Sequence, residues 1–191
     1  NSSFEGGGGG DDDIGICGEP ATFIHQVQGS GLTSPLVGNV VIVEGVVVGD
    51  FQNNASPDNG NLNGFYVQEE DSDADADPAT SEGVFVFGDS MDVAVGNLVR
   101  VMGTVAEFST SGGASVMTQL TNPQVLLCDP SVPLPTPAEV VLPVTSLADF
   151  ERYEGMLVTF PQSLVISEYF NFDRFGEIVL TTERQYAPTA V

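Results

Sequence analysis

Between residues 39 and 128 the chain alternates short runs of β-branched and aromatic residues with turn formers. The runs are "NVVIVEGVVVGDF" (39–51), "NGFYVQEE" (63–70), "EGVFVFG" (82–88), "GNLVRVMGTVAEF" (96–108) and "NPQVLLC" (122–128), separated by Gly, Asn, Asp, Ser and Pro. Val, Ile, Phe and Tyr suit the pleated, half-buried surface of a sheet, so the pattern predicts five strands. Gly45 and Gly103 fall inside the first and fourth runs, where a missing side chain permits the bulge or bend that lets a small sheet close. The fold class expected is all-β, a five-stranded Greek-key barrel of the OB type, with a β-sandwich as the alternative. Helix signals are sparse: "PATFIHQVQG" (20–29) predicts one short helix before the first strand, and "SLADFERYEG" (146–155) carries a Ser cap and a Gly stop.

These runs divide the chain. Residues 1–13, "NSSFEGGGGGDDD", have no periodicity and read as a flexible linker; the Gly-Lys-Ser/Thr of a phosphate-cradling loop does not follow them. Residues 14–129 form the predicted barrel. The prolines of "DPSVPLPTPAEVVLP" mark a semi-rigid connector over 130–145. From 146 to 191, "EGMLVTFP", "SLVISEYF" and "GEIVLTTE" predict three more strands, a smaller second β unit that reads as incomplete where the chain stops at "QYAPTAV".

Charge narrows the partners. Against 27 acidic residues stand four basic ones, all arginine, for a net charge of -23. Such a chain repels polyanions and attracts cations, so direct binding to DNA, RNA or an anionic membrane is disfavoured unless a metal ion bridges. Adaptation to saline surroundings accounts for acidity equally well. No apolar run is long enough to span a bilayer and no signal peptide is retained, so the expectation is a soluble chain, already mature if exported. Cys17 and Cys128 flank the strand block and suggest a disulfide clasping one domain, with two buried free thiols as the alternative. A bridge of that span stabilises by about 4 to 5 kcal/mol on chain entropy and implies an oxidising, extracytoplasmic setting.

The segments "IHQVQGSGLTSPLVGNVVIVEGVVVGDFQ", "GFYVQEEDSDADADPATSEGVFVF", "VGNLVRVMGTVAEF" and "FERYEGMLVTFPQSLVISEYFNFDRFGEIVL" resemble, in order and phrasing, the OB-fold region of large secreted bacterial nucleases. In that family the region precedes a DNase-I-like endonuclease/exonuclease/phosphatase domain, often after a lamin-tail-like domain. The resemblance covers Cys17 to the C-terminus and implies extracellular DNA degradation with divalent metal ions. The family's catalytic histidines and metal-holding carboxylates lie in the downstream domain, before which this sequence ends. The resemblance therefore implies a non-catalytic front part, with no catalytic residue on this chain.

"DSDADADPATSE" (71–82) matches the EF-hand spacing at positions 1, 3, 5 and 12 through Asp71, Asp73, Asp75 and Glu82. Asp77 stands at position 7, which donates a main-chain carbonyl in that template. Calcium takes six to eight oxygens, which alternate residues on a curled loop supply while a final glutamate closes the shell. Position 6 is Ala76 where the template wants glycine, and strands flank the loop instead of helices, so the expected site is a calcium-stapled hairpin connection. Seven carboxylates between Glu69 and Glu82 repel one another without a counter-ion, which favours a hard, oxygen-preferring cation over a disordered acidic loop.

An OB barrel that binds single strands uses exposed aromatics and a basic groove. Phe65 and Tyr66, with Arg100 as the one cation in the strand block, are the candidates for nucleic acid; Phe85 and Phe87 alternate onto one face and read as core. His25 reads as a polar residue near the start of the barrel. "GDSMD" (88–92) has no partner histidine for a serine nucleophile. Arg152, Arg174 and Arg184 sit among Glu151, Glu154, Asp173, Glu177 and Glu183, as pairs more than as a phosphate site. The leading expectation is a secreted, calcium-binding OB-fold module that positions a nuclease domain or its substrate. The alternative is an extracellular structural protein that assembles into an oligomer or filament through open strand edges.

Overall fold

Strands β1 (Val40–Phe51), β2 (Gly64–Gln68), β3 (Gly83–Phe87), β4 (Leu98–Ser109) and β5 (Val116–Asp129) hydrogen-bond into a closed ring in the order β1-β2-β3-β5-β4. The computed structural model describes residues 13–52, 62–88, 90–109, 116–170, 172 and 178–184. The N-terminal linker apart from Asp13, Asp89 of "GDSMD", Asp173, Arg174, Glu177 and the terminal "QYAPTAV" lie outside them. β1 runs antiparallel to both β2 and β4, β2 to β3 and β4 to β5, while β3 meets β5 in parallel. This is the all-β OB-type barrel expected, and its closure removes the sandwich alternative.

Three register shifts fall in the long strands, one of them at Leu98/Val99, and the other two lie at their bends. In β1 the register jumps from Val47↔Val67 to Gly49↔Tyr66, so Val48 is the extra residue. Between β4 and β5 it jumps from Met102↔Gln124 to Thr104↔Thr121, so Asn122 and Pro123 oppose Gly103 alone. Asn122 takes a left-handed conformation, φ 53°, which an asparagine tolerates. The sequence reading starts the fifth strand at Asn122; the strand begins six residues earlier, at Val116, because "TNP" is a bulge inside it and not a turn before it. Gly103 thus serves as expected. Gly45 instead permits a close approach, since a Cβ there would lie 2.7 Å from the Gln68 carbonyl oxygen.

Alternation fills the interior. Val43, Val47, Phe65, Val67, Val84, Val86, Val99, Val101 and Leu120 are fully buried in one cluster. A short helix, α1 (Ile24–Gln28), precedes the barrel and adds Ile24 and Val27 to that core. Burying two such side chains favours the docked helix by about 1.5–3 kcal/mol each, enough to hold a five-residue helix that could not persist alone. The N-terminal segment is tied down further by a disulfide between Cys17 and Cys128, Cα–Cα 5.6 Å.

The proline-rich connector contributes structure: β6 (Ala138–Glu139) pairs in parallel with β7 (Val158–Thr159). Between them a 3-10 helix, Leu147–Tyr153, starts at a capping box formed by Ser146 and Asp149. The following residues lie on the barrel. Glu154 Oε1 accepts the Thr118 N–H at 2.7 Å, Gln68 Oε1 accepts the Leu157 N–H at 2.8 Å, and Ser81 Oγ donates to the Glu154 carbonyl at 2.6 Å. Gly83 and Gly155 make this approach possible: a Cβ on Gly83 would stand 2.4 Å from the Gly155 carbonyl carbon. Beyond it β8 (Val165–Glu168) and β9 (Val179–Thr181) form an antiparallel pair. Among the described residues no helix is long and apolar enough to cross a membrane.

Candidate functional site

The acidic stretch is the β2–β3 connection, and its carboxylates shape it. Asp75 Oδ1 accepts the Asp77 N–H at 2.8 Å, and Asp77 Oδ1 accepts the Ala79 N–H at 2.9 Å, so both aspartates close local turns. Thr80 Oγ1 donates to Asp75 Oδ1 at 3.1 Å. The Asp73 and Ala74 N–H groups donate to the Glu70 carbonyl. At the C-terminal end Glu82 Oε1 accepts the Asp75 N–H at 3.0 Å, folding positions 5 and 12 of the EF-hand spacing onto each other.

One predicted ligand, Asp71, is engaged elsewhere. Both oxygens of Asp71 face Thr136, accepting its N–H at 2.8 Å and its hydroxyl at 2.6 Å, and these bonds hold the Asp71 carboxyl below the usual range. Asp73 and Asp77 are exposed. The loop thus brings Asp75 and Glu82 together and anchors Asp71 to the connector.

What meets Asp75 and Glu82 is His25, carried in by α1. Its Nδ1 lies 3.0 Å from Glu69 Oε2 and 3.2 Å from Glu82 Oε2, and its Nε2 lies 3.8 Å from Asp75 Oδ2. One donor atom each from His25, Asp75 and Glu82 falls within 4.8 Å of the others. Glu69 is buried, and its second oxygen accepts the Ile24 N–H, so one carboxylate orients both the helix start and the imidazole. Phe23 stacks on the ring at 5.2 Å between centroids. Burial first, then the hydrogen bond with Glu82, pushes the Glu69 carboxyl well above its ordinary value. Two carboxylates facing one another out of water cannot both stay charged without a cation between them.

Sequence reasoning counted Glu69 only as charge and gave His25 no role. His25 lies 44 residues from Glu69 and 57 from Glu82, so no local spacing announces them as neighbours. Only the docking of α1 across the mouth of the β2–β3 connection makes them one site.

The nucleic-acid candidates divide between inside and outside. Phe65 is in the core. Tyr66 faces outward, edge-on to Phe51 at 5.8 Å and tilted against Phe85 at 4.8 Å, and burial raises its phenol. It lines a cleft of about 410 Å³ with Phe51, Met156 and Leu157. Phe85 is buried on this outer face, and Phe87, read as core, is exposed at the strand end. Arg100 is 2% exposed. Its guanidinium donates to the carbonyls of Ile14 and Glu19 at 2.8 Å, to that of Pro20 at 3.2 Å and to Glu44 Oε2 at 3.1 Å. It is the anchor of the N-terminal segment and faces no groove.

No protein-family model and no curated protein matches the sequence. Among solved structures, the crystal structure of the mitochondrial single-stranded DNA binding protein Rim1 from S. cerevisiae is similar to 48% of this chain and 95% of its own, at 15% identity and a TM-score of 0.31.

Proposed function

We propose that the chain is a non-catalytic, cation-binding OB-fold module of a secreted nuclease-type protein, serving to position a catalytic domain or its substrate. The observation that carries the reading is the way the β2–β3 connection is held on three sides. His25 meets it from α1, Thr136 binds Asp71 from the connector, and Ser81 donates to the Glu154 carbonyl from beyond the 3-10 helix. A divalent cation at Glu82 and Asp75 would neutralise the loop and lock barrel, helix and following segment as one unit. Calcium is the ion the loop's spacing names; Asp73 and loop carbonyls would then turn inward to complete its oxygen shell. The nuclease setting rests on the sequence resemblance, and the disulfide suits a secreted chain.

With Arg100 buried and a net charge of -23, contact with nucleic acid would run through Tyr66 and a bridging cation, not through side-chain cations. Thermal unfolding with chelator and then with millimolar calcium, magnesium, manganese or zinc tests the cation. A midpoint unmoved by every ion refutes it. Titration of single-stranded DNA across a salt series, with cation present, separates substrate contact from a purely positioning role.

One observation favours a second reading. In the β8–β9 pair Ile166, Val179 and Leu180 are exposed, as are Tyr169 and Phe170 beside it. A two-stranded pair with bare apolar residues is marginal in water, and a second copy adding strands to its edges would give an extracellular oligomer or filament. Sedimentation showing monomer across a concentration series, with and without calcium, removes this reading.

A further inference from the structure

Resting on the reading that a divalent cation closes the β2–β3 connection, we propose that this cation is a transition-metal ion of the zinc type, held by His25 Nε2, Asp75 and Glu82, with Glu69 as the positioning residue for the imidazole. The three ligands come from two elements far apart in sequence: His25 from α1, and Asp75 and Glu82 from the middle and the end of the acidic connection. Zinc bonds to nitrogen and oxygen of about 2.0–2.2 Å place tetrahedral ligand atoms roughly 3.3–3.6 Å apart. The 3.8 Å between His25 Nε2 and Asp75 Oδ2 needs only a small contraction to reach that spacing.

The tautomer supports the assignment. His25 Nδ1 faces carboxyl oxygens of Glu69 and Glu82 at 3.0 and 3.2 Å, which favours the tautomer with its proton on Nδ1; with the ion bound, Glu69 would keep that hydrogen bond while Glu82 turns to the metal. A bare lone pair there would face two carboxyl oxygens with no N–H to offer them. With Nδ1 so occupied, Nε2 is the nitrogen directed towards Asp75, where a metal ligand must point. A histidine that ligates through one nitrogen and donates its other N–H to a carboxylate is the usual outer-shell arrangement of a metal site. Glu69 is itself fixed, because its second oxygen holds the Ile24 N–H.

The donor set also separates zinc from calcium. Calcium needs six to eight oxygens, yet both Asp71 oxygens are committed to Thr136 and the Asp77 carbonyl accepts the Thr80 hydroxyl at 3.1 Å. An imidazole among carboxylates suits zinc, manganese or iron instead. Three protein ligands leave a coordination position to water, on the side of the half-open Asp75 (side chain 28% exposed).

The test is calorimetric titration of the intact, disulfide-bonded chain, stripped of metal, with zinc, manganese and calcium separately. A cobalt titration read by its visible absorption reports nitrogen ligation directly. The expected result is one zinc per chain, bound far more tightly than calcium, with a cobalt spectrum that His25→Ala abolishes. Glu69→Gln should weaken zinc roughly 10–100-fold, and His25→Ala by more than that. Asp75→Asn, on an exposed turn where folding is not at stake, should weaken zinc as well, whereas Asp71→Ala should leave it within about 2-fold, as expected of a side chain outside the ligand set. Calcium binding lost in Asp71→Ala and Asp73→Ala but intact in His25→Ala would overturn the zinc assignment and leave the cation-closed module standing. No binding of any ion would overturn both.

Discussion

Glu154 should make the barrel more stable in mild acid than at neutral pH. Its carboxyl sits where residues 154–157 cross β2, β3 and β5, accepting the Thr118 N–H at 2.7 Å and the Gln28 amide at 3.3 Å. Burial is the main cause that lifts it from 4.5 to about 7, with Glu151 and Glu107 adding repulsion against the two hydrogen bonds. Because the folded value exceeds the unfolded one, the folded state holds more protons between them. The contribution is complete below 4.5 and is lost as pH rises through about 7. At about 1.36 kcal/mol per pH unit that interval bounds the effect near 3 kcal/mol, and solvent screening of a half-buried group reduces it to about 1–2 kcal/mol. Glu154→Gln keeps an acceptor for the Thr118 N–H and does not titrate. Urea unfolding of both proteins, with chelator and no reductant, should show the variant gaining on the parent by about 1–2 kcal/mol between pH 4.5 and 8. Taking the difference cancels Glu69 and Glu70, which are raised in both. Parallel curves, or a variant that falls behind as pH rises, would refute the reasoning.

Three further outcomes follow from the packing. Replacing Cys17 and Cys128 together by serine should cost about 2–5 kcal/mol, since the bridge closes a sequence separation of 111 residues; equal urea midpoints for variant and parent would contradict it. Arg100→Met leaves Glu44 and three carbonyls without their donor, so a loss of about 3–5 kcal/mol is expected, with faster hydrogen exchange over residues 14–20; a change below about 0.5 kcal/mol would count against the anchor. Gly83→Ala drives a methyl into the Gly155 and Met156 backbone, so limited proteolysis should cut residues 154–162 sooner, with a stability loss of about 1–3 kcal/mol; an unchanged digestion pattern would mean the segment is not held there.

The barrel was legible because alternation and turn formers act locally. Each of the five strands carries its own inside and outside, and Gly103 marks a real bend. The start of β5 was not legible: "TNP" has the composition of a turn, and only pairing with β4 across Gly103 makes it a bulge. The connector followed the same rule, since β6 has two residues and exists through its partner β7.

The sequence by itself determined the charge, the barrel class, the flanking cysteines and an acidic connection with seven carboxylates between Glu69 and Glu82. Tertiary structure alone decided which carboxylates face each other. It turned Asp71 to Thr136, brought Asp75 to Glu82, and set His25 against Glu69 and Glu82 across 44 and 57 residues of chain. The reason is that periodicity reports which face of an element is apolar, and that follows from neighbours in sequence. A ligand set depends instead on where a docked helix ends relative to a distant loop, which is settled by how Ile24 and Val27 pack in the core.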